Sequence, residues 1–185
     1  MFRNSFGANW GQQGYGLMSY GYAKAYANDA LWLHVGPPNS EVPATRFEGE
    51  SMRVLAATNC QASPQRMNDF SSKLWSHGEQ LFCSAKKEGF VRLAFDVRKP
   101  GRYRVRLLAT AAPDFGMVAV AIDGRNVPGT FDLYCGQVAP AGSLELGTHE
   151  LAVGPHALRI TSVGRDSTSK GFSFGVDALD LIAAK

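Results

Sequence analysis

Two neighbouring stretches constrain the fold more than any other part of this chain. In EGFVRLAFDV (residues 88–97), Val91, Leu93, Phe95 and Val97 fall on one face and Arg92 and Asp96 on the other. In GRYRVRLLAT (residues 101–110), Tyr103, Val105 and Leu107 oppose Arg102, Arg104 and Arg106. A period of two this regular specifies strands with one buried face and one face in water. The same pattern continues downstream. GMVAVAIDGRNV reads as a strand entering a hairpin turn at Asp123-Gly124, a strong short-range hairpin signal. LGTHELAVGPHALRITSVG reads as two strands around GPH, and FSFGVDALDLIAA as the last strand. No segment sustains a helical stripe. Seven or more short strands separated by turn signals specify an all-β sandwich or jelly roll.

Residues 1–36 do not fit this pattern. The stretch VGPPNSEVPATR, with three prolines, marks a linker over residues 37–45, so the chain reads as a short first unit, the linker, and a β-sandwich over residues 46–185. In the first unit, GYGLMS and ALWLHV have strand character and YGYAKAYAND suits a short helical turn. About thirty-five residues bury too little apolar surface to fold alone, so this unit needs a partner surface.

Composition excludes several classes of function. With 45% hydrophobic and 19% charged residues, the chain is expected to be globular rather than disordered. A formal charge of +3, with scattered basic residues, gives no footprint for nucleic acid. No apolar run approaches the ~20 residues of a membrane span. MFRNSFGANW lacks the apolar core of a signal peptide. Cys60, Cys83 and Cys135 are too few for a disulfide scaffold and show no CxxC spacing, so they read as small buried hydrophobes on strands. No two carboxylates stand out as a glycosidase pair.

The opening stretch NSFGANWGQQGYG carries a specific motif. Asn4, Ser5, Gly7, Trp10, Gly11, Gly14 and Tyr15 match the asparagine motif of papain-like cysteine peptidases, with Phe6 where the family usually has tryptophan. Residues 1–35 therefore resemble the C-terminal end of such a peptidase. The resemblance implies that Asn4 matches the asparagine that orients the catalytic histidine, which in turn activates a cysteine. Both partners lie upstream in that family, and three residues precede Asn4 here, so no catalysis is expected of this chain. The alternative for Asn4 is a turn residue.

Residues 46–183 resemble a galactose-binding-like jelly roll of the kind found in carbohydrate-binding modules. The matching parts are FEGE, WSHGEQLF, PGRYRVRLLAT, AIDG, LAVGPHALRI and GVDALDL. The resemblance implies a non-catalytic carbohydrate-binding or accessory module, and related modules act outside the cell, so the parent protein is expected to be secreted. Two alternatives stand beside it. The chain is one part of a cysteine peptidase whose Cys and His lie on a missing or separate segment, with the sandwich as a targeting or stabilising domain; or the sandwich is a purely structural interaction domain.

Sugar recognition needs aromatic faces and a few fixed polar groups on loops held by a rigid sheet. Three loops offer them: Trp75, His77 and Glu79 in LWSHGEQ, Asp114 and Phe115 in APDFGM, and Asp132 and Tyr134 in FDLYCG. Each has a plainer alternative: core packing for Trp75, a surface turn for His77, a local turn bond for Asp114, and packing for Tyr134. Related modules also carry a structural calcium ion between the first and last strands. Glu48 and Glu50, alternating on one face of RFEGES, and Asp177, with Asp180 nearby in the last strand, offer the hard oxygens that Ca²⁺ takes. The alternative is half-exposed carboxylates balanced by Arg46 and Arg53.

Overall fold

A computed structural model describes residues 2–3, 15–16 and 45–184. The chain divides into two compact units, residues 1–40 and 41–185. In the first, β1 (Phe2–Arg3) pairs antiparallel with β2 (Tyr15–Gly16), Phe2 opposite Gly16 and Arg3 opposite Tyr15. Asn4 and the elements expected beyond Gly16 lie outside the described residues.

The second unit is an all-β jelly-roll sandwich. Its strands are β3 (Thr45–Glu48), β4 (Arg53–Arg66), β5 (Glu79–Val97), β6 (Gly101–Ala111), β7 (Met117–Ile122), β8 (Arg125–Asn126), β9 (Phe131–Asp132), β10 (Ala139–Leu151), β11 (Gly154–Gly164) and β12 (Phe174–Ala183). Among the described residues, the remaining regular structure is four 3₁₀ turns. Hydrogen bonds run in the order β10-β6-β12-β5-β11-β7-β8, with β3 also on β12, β4 on β5 and β9 on β7.

The 19 residues of β5 carry the sheet from one layer to the other. Its first part, Leu81–Cys83, pairs with β12, and its second part, Phe90–Val97, pairs with β11. Between them the β4–β5 pairing shifts register, with the extra residues on β5: Thr58 faces Phe90, but Cys60 faces Ala85. Such a slip bends a strand and strengthens its twist, which lets one ribbon serve two layers.

The core follows the alternation read from the sequence. Val91, Leu93, Phe95 and Val97 of β5 are buried together with Val105 and Leu107 of β6, while Arg92 and Asp96 face water. Asp123 and Gly124 both take positive φ, as a two-residue hairpin turn requires, and Ile122 pairs with Arg125 across it. The Asp123 carboxylate then ties this turn to β11. It accepts from the Ala157 amide at 2.8 Å and lies 2.6 Å from His156 Nδ1, and the His156 ring stacks on Phe95.

Three expectations change in detail. The break between β10 and β11 falls at Ala152–Val153, and GPH opens β11 rather than separating two strands. Thr45, placed in the linker by sequence, already belongs to β3. The arginine face of β6 is only partly wet: β10 and β12 flank it, Arg106 Nη2 lies 3.8 Å from Asp180, and Arg104 Nε lies 3.6 Å from Glu145.

β12 carries the buried carboxylates Asp177 and Asp180. It ends the sandwich in sequence but runs through the middle of the sheet, between β6 on one side and β3 and β5 on the other. Phe174 to Ile182 are consequently buried without interruption, Asp177 and Asp180 included.

Candidate functional site

The carboxylates from the two ends of the sandwich meet. β3 pairs with β12, setting Glu48 opposite Ala178 and Arg46 opposite Asp180. Glu48 ends β3, and Gly49–Ser51 then form a 3₁₀ turn, so Glu50 reaches the same place through a turn and not through strand alternation. This corrects the sequence reading, and Gly49 is the physical reason. A Cβ there would sit 2.1 Å from the Val176 carbonyl oxygen, so the chain passes β12 closer than any side chain permits. β12 answers with a register shift between Val176 and Ala178, at Asp177.

The loop between β4 and β5 closes over these groups. Ser76 donates its amide to Asp177 Oδ1 at 2.9 Å and its hydroxyl to Glu48 Oε1 at 2.9 Å. His77 Nε2 stands 3.9 Å from Glu48 Oε1. Ligand atoms of Glu48, Glu50 and His77 all lie within 4.8 Å of one another. His77 is therefore a member of this carboxylate cluster, at its rim, with its side chain 74% exposed.

The electrostatics of the cluster are unfavourable as it stands. Burial, followed by the Glu48 and Glu50 charges, pushes the Asp177 pKa up to about 6, although the Ser76 amide and Arg46 act the other way. Burial also raises Glu50, with Glu48 and Glu79 adding to the shift. Glu48 Oε2 and Glu50 Oε2 are both buried without a hydrogen-bond partner. Orphaned, crowded carboxylate oxygens are costly alone and well suited to a hard cation, whose ligands at 2.3–2.6 Å lie within about 5 Å of each other. Asp180 stands apart from this need. It is 1% exposed, and Arg46 grips it in a two-pronged ion pair at 2.7 and 2.8 Å.

The other candidates separate into core and loop. Trp75 is 4% exposed and donates Nε1 to Thr110 Oγ1 at 2.8 Å. Thr110 bonds Gln80, and Gln80 reaches Gln65 at 2.7 Å. Phe115 is buried too and lies 6.1 Å from Phe82. Neither ring offers a face to solvent, so both act as packing residues, and the aromatic-platform reading of them is corrected. Burying such large rings outweighs any gain from exposing them. Glu79 pairs with Arg66 at 3.3 Å.

Asp132 ends β9 and, with Asp114 and Tyr134, lies on neighbouring segments joined by backbone hydrogen bonds. Ala112 donates to Leu133 at 3.0 Å and accepts from Cys135 at 3.2 Å, with a parallel bridge to Tyr134. Asp132 Oδ1 accepts the Tyr134 amide at 2.9 Å, which fixes that turn. A third loop, residues 165–173, which the sequence reading did not single out, docks on the same segment. Lys170 donates to Pro113, Ser173 to Asp114, and the Ser169 hydroxyl to the Phe115 carbonyl at 2.6 Å. It carries the half-buried Phe172, with the Arg165 guanidinium 5.1 Å above its ring. Its Ser- and Thr-rich composition between two strands was the available signal. The end of the sandwich thus presents Asp114 and Asp132 to solvent, with Tyr134 and Phe172 half-exposed.

No protein-family model matches this chain, and no curated protein matches it. Solved structures do match. A xanthan lyase from Paenibacillus superposes with a TM-score of 0.67 at 20% identity, over 78% of this chain and 14% of the lyase. A family 35 carbohydrate-binding module (CBM35) from Paenibacillus barcinonensis superposes at 0.50 and 15% identity, over 76% of this chain and 99% of that one. A Podospora anserina β-(1,4)-mannanase that carries a CBM35 does so at 0.50 and 12% identity, over 76% and 28%. This chain therefore spans a small part of the two enzymes and the whole length of the isolated module. These likenesses define the class: the second unit has the jelly-roll fold of carbohydrate-binding modules. At such low identities they carry the fold and nothing more specific.

Proposed function

We propose that residues 45–184 form a non-catalytic carbohydrate-binding accessory module with a structural Ca²⁺ site. The observation that carries this reading is the pair of buried, unpartnered oxygens of Glu48 and Glu50 beside Asp177, in a fold that an isolated carbohydrate-binding module shares over its whole length. Glu48, Glu50 and Asp177 hold the ion, His77 stands at its rim, and the charge of the ion offsets the crowding that raises Asp177. The site joins β3, β12 and the loop at Ser76, and so braces the sheet that supports the sugar-binding loops.

Carbohydrate is held at the loop end. Tyr134 and Phe172 provide ring surface for sugar C–H faces, and Asp114 and Asp132 accept hydroxyl hydrogens. A screen of oligosaccharides by calorimetry tests this. Binding of at least one sugar by the wild type, lost in Tyr134→Ala with unchanged melting, supports the reading. Equal binding by both proteins counts against Tyr134, and no binding across the screen counts against the function.

A second reading concerns the first unit. What supports it is the sequence motif from Asn4 to Tyr15, which resembles the tail of a papain-like peptidase domain to which the module is attached. The parent is then a secreted cysteine peptidase, and Asn4 acts only where a cysteine and a histidine are supplied. An in-frame papain-like segment bearing both, encoded ahead of Met1, supports this. Peptide hydrolysis by the chain alone contradicts it.

A further inference from the structure

One histidine joins three segments of the sandwich. His156, on β11, has its Nδ1 2.6 Å from Asp123 Oδ2 in the β7–β8 turn. Its Nε2 lies 2.9 Å from the Ala152 carbonyl oxygen, at the break between β10 and β11. Its ring stacks on Phe95, its cross-strand partner on β5, with centroids 5.5 Å apart. The side chain is only 11% exposed, so water offers little in place of these partners.

Both ring nitrogens therefore face acceptors. A carbonyl oxygen can only accept, so Nε2 carries a proton. Asp123 accepts the Ala157 amide through Oδ1 at 2.8 Å, and a carboxyl is a stronger acid than imidazolium, so the proton shared with Asp123 belongs to Nδ1. Neutral imidazole has a single N–H and would turn one lone pair toward an oxygen. The arrangement fits the imidazolium and neither neutral tautomer.

We propose that His156 is a proton-operated clamp: as the imidazolium it ties the β7–β8 turn to the β10–β11 turn, and on losing a proton it keeps Asp123 and releases Ala152. The bond to the carboxylate is the stronger of the two, so it takes the remaining N–H. The β7–β8 turn stays fastened in either state, because the Asp123 amide also donates to the Ala157 carbonyl at 2.9 Å. The β10–β11 turn is short and carries Val153, 64% exposed, so it is the segment free to move.

The charged groups acting on the ring are Asp123 from the β7–β8 turn and Asp96 from β5, both acidic. Burial disfavours the charge, but the Asp123 and Ala152 hydrogen bonds and the Asp96 charge outweigh it, and His156 is held above the ordinary 6.5 of histidine. A folded-state pKa above the unfolded one makes the clamp fully stabilising below pH 6.5, and that contribution is lost as the pH rises through the folded value.

The test is a nitrogen-15 NMR titration of the full chain from about pH 5 to 9, read at the His156 ring and at backbone amides. The His156 midpoint is expected above 6.5, with both ring nitrogens protonated below it and Nδ1 alone protonated above it. The Val153 and Gly154 amides are expected to shift with the same midpoint, while the amides of β6 do not. Asp123→Asn is expected to lower the midpoint, and His156→Gln to abolish the shift of Val153 and Gly154. A wild-type midpoint at or below 6.5, or a proton retained on Nε2 above it, overturns the clamp, and neither reading needs a variant to fold. A Val153 and Gly154 shift that persists in His156→Gln overturns the release of the turn.

Discussion

The Ser76 amide donates to Asp177 Oδ1 at 2.9 Å, joining two residues 101 positions apart. This bond fastens the β4–β5 loop to the central strand at the point where carboxylates are most crowded. The folded-state pKa of Asp177, about 6, lies above its ordinary 3.8. The folded protein therefore binds this proton more tightly than the unfolded chain does. The resulting stabilisation is full below about pH 3.8 and is lost as the pH rises through 6, amounting to roughly 3 kcal/mol at most. Metal-free protein is expected to lose this contribution between about pH 4 and 6, and Asp177→Asn to flatten that slope. Ca²⁺ acts in the opposite sense, raising the melting temperature at pH 7.5 much more than at pH 5. Thermal melts in chelator and in excess Ca²⁺ check both parts.

Gly49 allows the turn to pass the Val176 carbonyl. Gly49→Ala places a Cβ 2.1 Å from that oxygen, so β3 or β12 must shift. A loss of roughly 1–3 kcal/mol is expected from this overpacking. The variant is also expected to lose most of the Ca²⁺-dependent rise in melting temperature, because Glu48 and Glu50 flank the displaced residue. Chemical denaturation with and without Ca²⁺ measures each effect.

Arg46 covers a carboxylate that is almost completely buried. Removing it in Arg46→Ala leaves Asp180 with Arg106 at 3.8 Å as its remaining cation, and about 2–3 kcal/mol of stability is expected to go. Arg46→Lys keeps a charge but loses the two-pronged geometry, and an intermediate loss is expected. Denaturant midpoints of the three proteins give the order directly.

Trp75 is expected to act on stability rather than on ligand contact. Trp75→Phe removes the donor to Thr110 and costs about 1–2 kcal/mol, and Trp75→Ala costs about 4 kcal/mol through the cavity it leaves. Sugar affinity of Trp75→Phe, measured well below its melting temperature, is expected to match the wild type.

The parts of this fold that were legible in the sequence are those where one buried face meets one wet face. β5 beyond Phe90, β6 and the Asp123-Gly124 hairpin follow from alternation and turn chemistry. β4 was not legible, because it packs mainly against β5 alone and most of its residues are exposed, so its sequence shows no alternation. β12 was recognised as a strand, but its central position was not, since sheet order depends on pairings between distant segments. The carboxylates Glu48, Glu50 and Asp177 were suggested by residue type and by the resemblance, but the turn that carries Glu50 was not legible, because strand alternation was expected there. The parts His77 and Ser76 play at that cluster were not legible either, because a long loop brings them there from the far side of β4. Trp75 misled for a related reason: a loop tryptophan looks like a platform until Thr110 is seen to accept its N–H.

The measurement that bears most directly on the proposed function is affinity electrophoresis of the purified chain through gels containing a panel of polysaccharides in Ca²⁺, with the same polysaccharides assayed in solution for newly released reducing ends. The account predicts retardation by at least one polysaccharide, weakened by chelator and by Tyr134→Ala, with no release of reducing ends. Unretarded migration in every gel, or cleavage of any polysaccharide by the chain, contradicts it.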